Sequence, residues 1–225
     1  MEAIGKAGTC VGIMAKDGIV LAVEKKVVSK LLEPPKSSEK TYKLDDHLVC
    51  AVAGLTSDAN ELIDIARLMA QRYAFVYQQP QPIEQLVQQL CDRKHFFTQF
   101  GGLRPFGVSL LYAGWDSQHG FQLYHSDPSG NYGGWKAQAI GANNQAAKSL
   151  LKSDYADDMS IDDALQLSVK VLSKTMDTTT PSVDKMEFTV VTRENGKVVH
   201  KSLSTAETEK LLADVAAANA DEGDM

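Results

Sequence analysis

Arg104 stands in a frame stiff enough to aim a guanidinium, between Gly101-Gly102-Leu103 and Pro105-Phe106-Gly107. Held in that way, it could anchor a phosphate or carboxylate ligand. No glycine-rich phosphate loop runs into a helix here, so Gly101, Gly102, Arg104 and Pro105 read instead as a structural turn tied to nearby carbonyls. Cys10, Cys50 and Cys91 are widely spaced and none lies in a Cys-x-x-Cys pair. Cys10 and Cys50 sit in apolar strand-like runs and read as buried reduced thiols rather than nucleophiles. His47, His95, His119, His125 and His200 show no i, i+4 pairing, and no Cys joins them at ligand spacing, so no metal or other cofactor is expected. Trp115 and Trp135, at the ends of strand-like runs, read as core or contact residues rather than a stacking platform.

These residues need elements to hold them. The glycines stop a helix after Phe100, Pro105 extends Arg104, and Val108 to Ala113 follows as a short apolar run expected to be a doubly covered strand. Upstream, Met1 to Lys6 reads as the end of a helix. Strand-like runs cover Thr9 to Ala15 and Ile19 to Glu24 around Lys16-Asp17-Gly18, then Thr41 to Leu44 and Leu48 to Ala53 around Asp45-Asp46-His47. Ser29 to Ser38, with Pro34 and Pro35, reads as an irregular surface loop.

A long amphipathic helix is expected after Gly54, with Ser57 as N-cap and Ala59, Leu62, Ile63, Ala66, Leu68, Met69 and Tyr73 on its apolar face. A second runs from Ile83 to Gln99. Strands at Gly107 to Gly114, Gly120 to Ser126 and Gly134 to Ile140 precede helices at Asn143 to Leu151 and Ile161 to Met176. Strands at Met186 to Arg193 and Val198 to Lys201 flank Asn195-Gly196, and Ser204 with Glu207 forms a capping box for a terminal helix. Blocks of strands between blocks of helices predict an α+β fold, two antiparallel sheets sandwiched between helix layers, in a single domain over 1–225 with a frayed tail from 216.

Composition narrows the function. The 225 residues carry a net charge of −6 without a basic stripe, which speaks against nucleic acid. No apolar run approaches a membrane span, and no signal peptide opens the chain, so a cytosolic or nuclear protein is expected.

Thr98-Gln99-Phe100-Gly101-Gly102-Leu103-Arg104-Pro105-Phe106-Gly107-Val108-Ser109-Leu110 closely resembles a segment recurrent in the alpha-type subunits of the proteasome core particle. The likeness extends over nearly the whole chain, in order. Met1 to Gly12 resembles the family's helix end, Ser38-Glu39-Lys40 the residues after its variable loop, and Ala53 to Ala59 its Gly-Leu-x-x-Asp-Ala segment. Ser126-Asp127-Pro128-Ser129-Gly130 and Ala139-Ile140-Gly141 match two further motifs. Gly114-Trp115-Asp116, Gly120 to Tyr124, Asn131 to Lys136 and Thr192 to Lys197 look most like one particular alpha type.

The resemblance implies the four-layer N-terminal-nucleophile hydrolase sandwich and a place in a seven-membered ring. Partners would be neighbouring alpha subunits, beta-ring subunits and a regulatory particle or other activators. The catalytic beta-type relatives use a freed N-terminal Thr, with an Asp and a Lys beside it. Laid over that pattern, Gly8 takes the nucleophile position, Glu24 the Asp and Lys40 the Lys, while Thr9 is internal and lacks a free amine. No catalytic residue is therefore expected, and the role is structural, in protein degradation. Lys40 alone reads as a solvated lysine. The resemblance implies instead that Lys40, Gly54 and Leu55 line a pocket between ring neighbours, where Lys40 pairs with the C-terminal carboxylate of an activator's tail. The alternatives are a self-standing N-terminal-nucleophile amidohydrolase and a homomeric ring scaffold.

Family members begin with an extension that contributes to the axial gate, and Met1 falls inside the helix that extension starts. A start placed at an internal methionine is the expectation, and no gating is assigned to these residues. Nuclear presence is implied by the resemblance alone.

Overall fold

Residues Cys10 to Glu24 and Leu48 to Gly54 alternate sides as strands must, yet both faces are apolar, so each strand has to be covered twice. The computed structural model, which describes residues 1–25, 31, 40–176 and 182–222, meets that demand with two five-stranded antiparallel sheets. The Pro34-Pro35 loop and Glu39 lie outside the described residues, as does the end of the expected frayed tail.

After a short helix α1 (Glu2–Gly5), β1 (Cys10–Ala15) and β2 (Gly18–Glu24) form a hairpin; β3 (Thr41–Asp45) and β4 (Leu48–Gly54) form another. Helices α2 (Thr56–Tyr77) and α3 (Ile83–Gln99) lead to β5 (Val108–Asp116), β6 (Gly120–Ser126), β7 (Tyr132–Gly134) and β8 (Ala137–Ile140). Helices α4 (Asn144–Asp154) and α5 (Ile161–Thr175) precede β9 (Met186–Glu194), β10 (Lys197–Ser202) and α6 (Thr205–Glu222).

One sheet has the order β10-β9-β2-β1-β8 and the other β3-β4-β5-β6-β7. Val11, Ile13, Val20, Ala22 and Phe188 face α4, α5 and α6. Cys50, Val52, Leu110 and Tyr112 face α2 and α3. Ile19, Leu21, Val23, Val49, Ala51, Leu111 and Ala113 fill the space between the sheets. The result is the expected α-β-β-α layering.

The structure departs from the sequence reading in several places. The expected strand Gly134 to Ile140 is two strands in different sheets. Trp135 N donates to Leu123 O of β6 at 2.8 Å, whereas Lys136 O accepts from Met14 N of β1 at 2.8 Å. The chain crosses between sheets within that one dipeptide, a switch that a continuous β-like pattern conceals. Ser57 is not the cap of α2; Leu55 is, with no side-chain cap bond. Leu68, expected on the buried face, is exposed. An unforeseen capping box joins Ser160 and Asp163 at α5, while the Ser204–Glu207 box at α6 forms as expected. Asn195 and Gly196 both take positive φ, 49° and 82°, as a two-residue hairpin turn requires.

Candidate functional site

The start of β1 and the end of β2 meet in a corner with Lys40. Glu24 N donates to Thr9 O at 2.8 Å, and Thr9 N returns a bond to Glu24 Oε2 at 2.9 Å. Lys40 Nζ reaches into this corner and donates to Glu24 O at 2.5 Å. A Cβ built on Gly8 would stand 2.6 Å from Lys40 Nζ and 2.7 Å from Glu24 O, so no larger residue fits without displacing both. Gly8, Glu24 and Lys40 are thus brought together, with the lysine turned to a carbonyl where a nucleophile would need a base. Thr9 Oγ1 is spent on Ala142 O at 2.8 Å, and its amide nitrogen lies within the chain. Cys10 beside it is fully buried, and burial pushes its thiol up to about 12, far from a nucleophile's range.

Lys40 immediately precedes β3, its carbonyl accepting from Val52 N of β4 at 3.0 Å. Gly54 ends β4 and Leu55 follows, so all three residues of the expected pocket lie at one end of one sheet. Gly54 has φ +136°, and a Cβ there would run into Gly107 O, so only glycine fits. Leu55 is 42% exposed.

The turn after α3 packs against that same end. Helix α3 stops at Gln99, Phe100 caps it in an extended conformation, and Gly102 takes φ +80°. Arg104 and Pro105 then bring the chain to β5. Arg104 bonds Pro105 O at 3.2 Å, a carbonyl tie of the expected kind, but its main partner is a carboxylate that the sequence reading did not connect to it. Its Nη1 and Nη2 donate to Asp58 Oδ2 and Oδ1 at 2.6 and 2.8 Å. The guanidinium holds the buried Asp58 carboxyl below its usual range, helped by Gly107 N at 2.8 Å and opposed by burial. Asp58 and Arg104 are 46 positions apart, too far for any local pattern to pair them.

Sequence reading also missed Lys94. It is fully buried on the inner face of α3, and its ammonium donates to Ser126 Oγ at 2.9 Å, Val108 O at 3.2 Å and Asp127 O at 3.3 Å. Its signal was available: Ile83, Val87, Leu90, Lys94 and Phe97 follow helical spacing along one face. All three cysteines are buried free thiols. Trp115 on β5 packs under the Arg193 guanidinium at 4.1 Å, and Trp135 sits at the crossing between sheets. Among the described residues no cluster of three or more His, Cys, Asp or Glu could hold a metal, and no helix is long and apolar enough to cross a membrane.

The chain is similar to known proteins over most of its length. The sequence profile of the family described as Proteasome subunit matches residues 4–191. Proteasome subunit alpha type-4 of Spinacia oleracea is 61% identical over 215 residues, which cover 95% of this chain and 86% of that one. The alpha type-4 subunit of Petunia hybrida is 61% identical over 212 residues, covering 94% and 85%. Alpha type-4-A of Arabidopsis thaliana is 61% identical over 208 residues, covering 92% and 83%.

Proposed function

This chain belongs to the proteasome subunit family, and from that premise we propose that it is a non-catalytic alpha-ring subunit of the 20S core particle. It takes the ring position of the alpha type-4 subunits and supports ubiquitin-dependent protein degradation. The observation that carries the non-catalytic reading is Gly8: the nucleophile position offers no hydroxyl, and Lys40 and the Glu24 carbonyl fill the space a side chain would need. A self-standing hydrolase would need a freed Thr9, whose amide and hydroxyl are instead bonded to Glu24 and Ala142. Assembly is supported by where the large exposed apolar residues lie. Leu68, Phe75, Val76 and Tyr77 line α2, and Phe96, Phe100 and Leu103 line α3 and the following turn, surface that burial against neighbouring alpha and beta subunits would cover.

Lys40, Gly54 and Leu55 serve in this reading as this chain's side of a pocket for an activator's C-terminal tail. The ammonium meets the tail carboxylate, and the Gly54–Leu55 junction supplies backbone and an apolar wall. Native mass spectrometry of particles isolated through a tag on this chain tests the assignment. A complex of alpha and beta subunits containing the intact chain is expected. A free chain newly beginning at Thr9 or Cys10, with amidase activity, would overturn it.

A further inference from the structure

Leu55 begins α2 without a side-chain cap, its backbone extended at φ −75°, ψ 117°. A helix start of that kind leaves its first amides to find acceptors elsewhere, and the position of the cap residue falls to its neighbours. Here the neighbour is the turn before β5. Leu55 N donates to Gly107 O at 3.0 Å, Gly107 N donates to Asp58 Oδ2 at 2.8 Å, and Asp58 lies in the first turn of the same helix. The loop of bonds leaves Leu55, passes through Gly107 and returns to α2 three residues on.

Arg104 closes the arrangement by forking onto both Asp58 oxygens, so the carboxylate cannot swing away from Gly107. The Leu55 side chain rests on the bare face of Gly107, where an added Cβ would stand 2.9 Å from Leu55 Cδ1. With 42% of its surface exposed, Leu55 is not held by packing alone.

We propose that Asp58 and Arg104 are a positioning pair for the activator-tail pocket, setting Leu55 through Gly107 and so regulating the pocket's affinity for a peptide carboxylate. This rests on the reading that Lys40, Gly54 and Leu55 form that pocket. A lysine at position 104 keeps the charge but loses the two-pronged geometry. The Arg104 side chain is 66% exposed, so replacing it leaves no core cavity.

The experiment uses core particles reconstituted with this chain and a short labelled peptide copied from an activator's C-terminus, with a free or an amidated end. Arg104→Gln and Arg104→Lys should each weaken binding of the free-ended peptide about tenfold, a change that fluorescence anisotropy resolves readily. Amide exchange at Leu55 and Gly107 should quicken more than at the amides of β1 and β2, which a general loss of stability would quicken as well. Lys40→Ala should abolish the preference for the free end. If both Arg104 variants bind as the parent does while Lys40→Ala does not, the positioning pair is refuted and the pocket survives. If Lys40→Ala and the amidated peptide also bind normally, the pocket reading itself fails. Should a variant not enter the particle, amide exchange is read on the free chain, where unchanged exchange at Leu55 refutes the proposal.

Discussion

Under α4, α5 and α6 the packing is apolar throughout, with only small hydroxyls and an amide among its buried polar groups, whereas the half built on β3 to β7 buries His47, Asp58, Lys94 and Asp116. Among the described residues no other Asp, Glu, Lys, Arg or His is buried. Among the described residues the same half carries every large exposed apolar residue on a helix, from Leu68 to Phe96, and α4 to α6 carry none. Its helices α2 and α3 begin without side-chain caps, as does α4 in the other half, while α5 and α6 have capping boxes. One half is an apolar scaffold. The other is internally polar and externally apolar, the pattern expected of surface completed by partners.

The largest expected effect is in the scaffold half. Phe188→Ala should cost about 3–5 kcal/mol in urea unfolding, by the same amount at neutral and alkaline pH. A cost at neutral pH below that of Lys94→Met would break the comparison. Lys94→Met should cost about 1–3 kcal/mol near neutrality, because it leaves the Asp127 and Val108 carbonyls short of a donor.

The pH dependence sharpens that contrast. Burial pulls the Lys94 ammonium down from 10.5 to about 8. The folded chain sheds this proton near pH 8, while the unfolded chain keeps it up to 10.5. Unfolding in that window takes up a proton, so the stability of the parent relative to Lys94→Met should climb with pH, by up to about 1.4 kcal/mol per unit. Cys10, Cys50 and Cys91, pushed up from 9.0 to about 12, 12 and 11, act in the opposite sense above pH 9. They are present in both proteins and largely cancel in the difference. A flat difference would sink the assignment.

Ser160→Ala should cost about 1 kcal/mol by removing the α5 cap. Ser57→Ala should stay within about 0.5 kcal/mol, since α2 has no such bond to lose. Equal costs would erase the capping contrast. Smallest in stability is Phe75→Ser, on a side chain 81% exposed, expected to change unfolding by less than about 0.5 kcal/mol. Its effect should appear instead in native mass spectra, as reduced entry of this chain into particles. Undiminished entry would remove Phe75 from the proposed contact surface.

The layered fold was legible because apolar alternation and helical spacing act locally. What escaped the sequence reading is non-local. Asp58 finds Arg104 only once β4, α2 and the turn before β5 have come together. Lys94 sits in Asp92-Arg93-Lys94, which looks like a solvated charged run, although its neighbours one helical turn away are apolar. The crossing at Trp135-Lys136 hides inside a stretch whose residues would pair equally well with either sheet. In the Gly8 corner, the missing hydroxyl was visible from one residue type, but the lack of room for any side chain needed the positions of Lys40 and Glu24.

Strand order has a further consequence, for the chain as it leaves the ribosome. The β1–β2 hairpin is made well before its flanking partners β8 and β9, so both its edges stay open until residues 137–140 and 186–194 have been made. At ordinary rates of synthesis that is a wait on the order of ten seconds. In the sheet of β3 to β7 each strand pairs with the one just before it, and the longest wait is that of β4 for β5, across α2 and α3. The nascent chain therefore carries an almost wholly apolar hairpin with both edges unpaired while the strands between it and its partners are made, the kind of edge that invites pairing with other chains. A chaperone that shields strand edges would find its work on the β1–β2 hairpin.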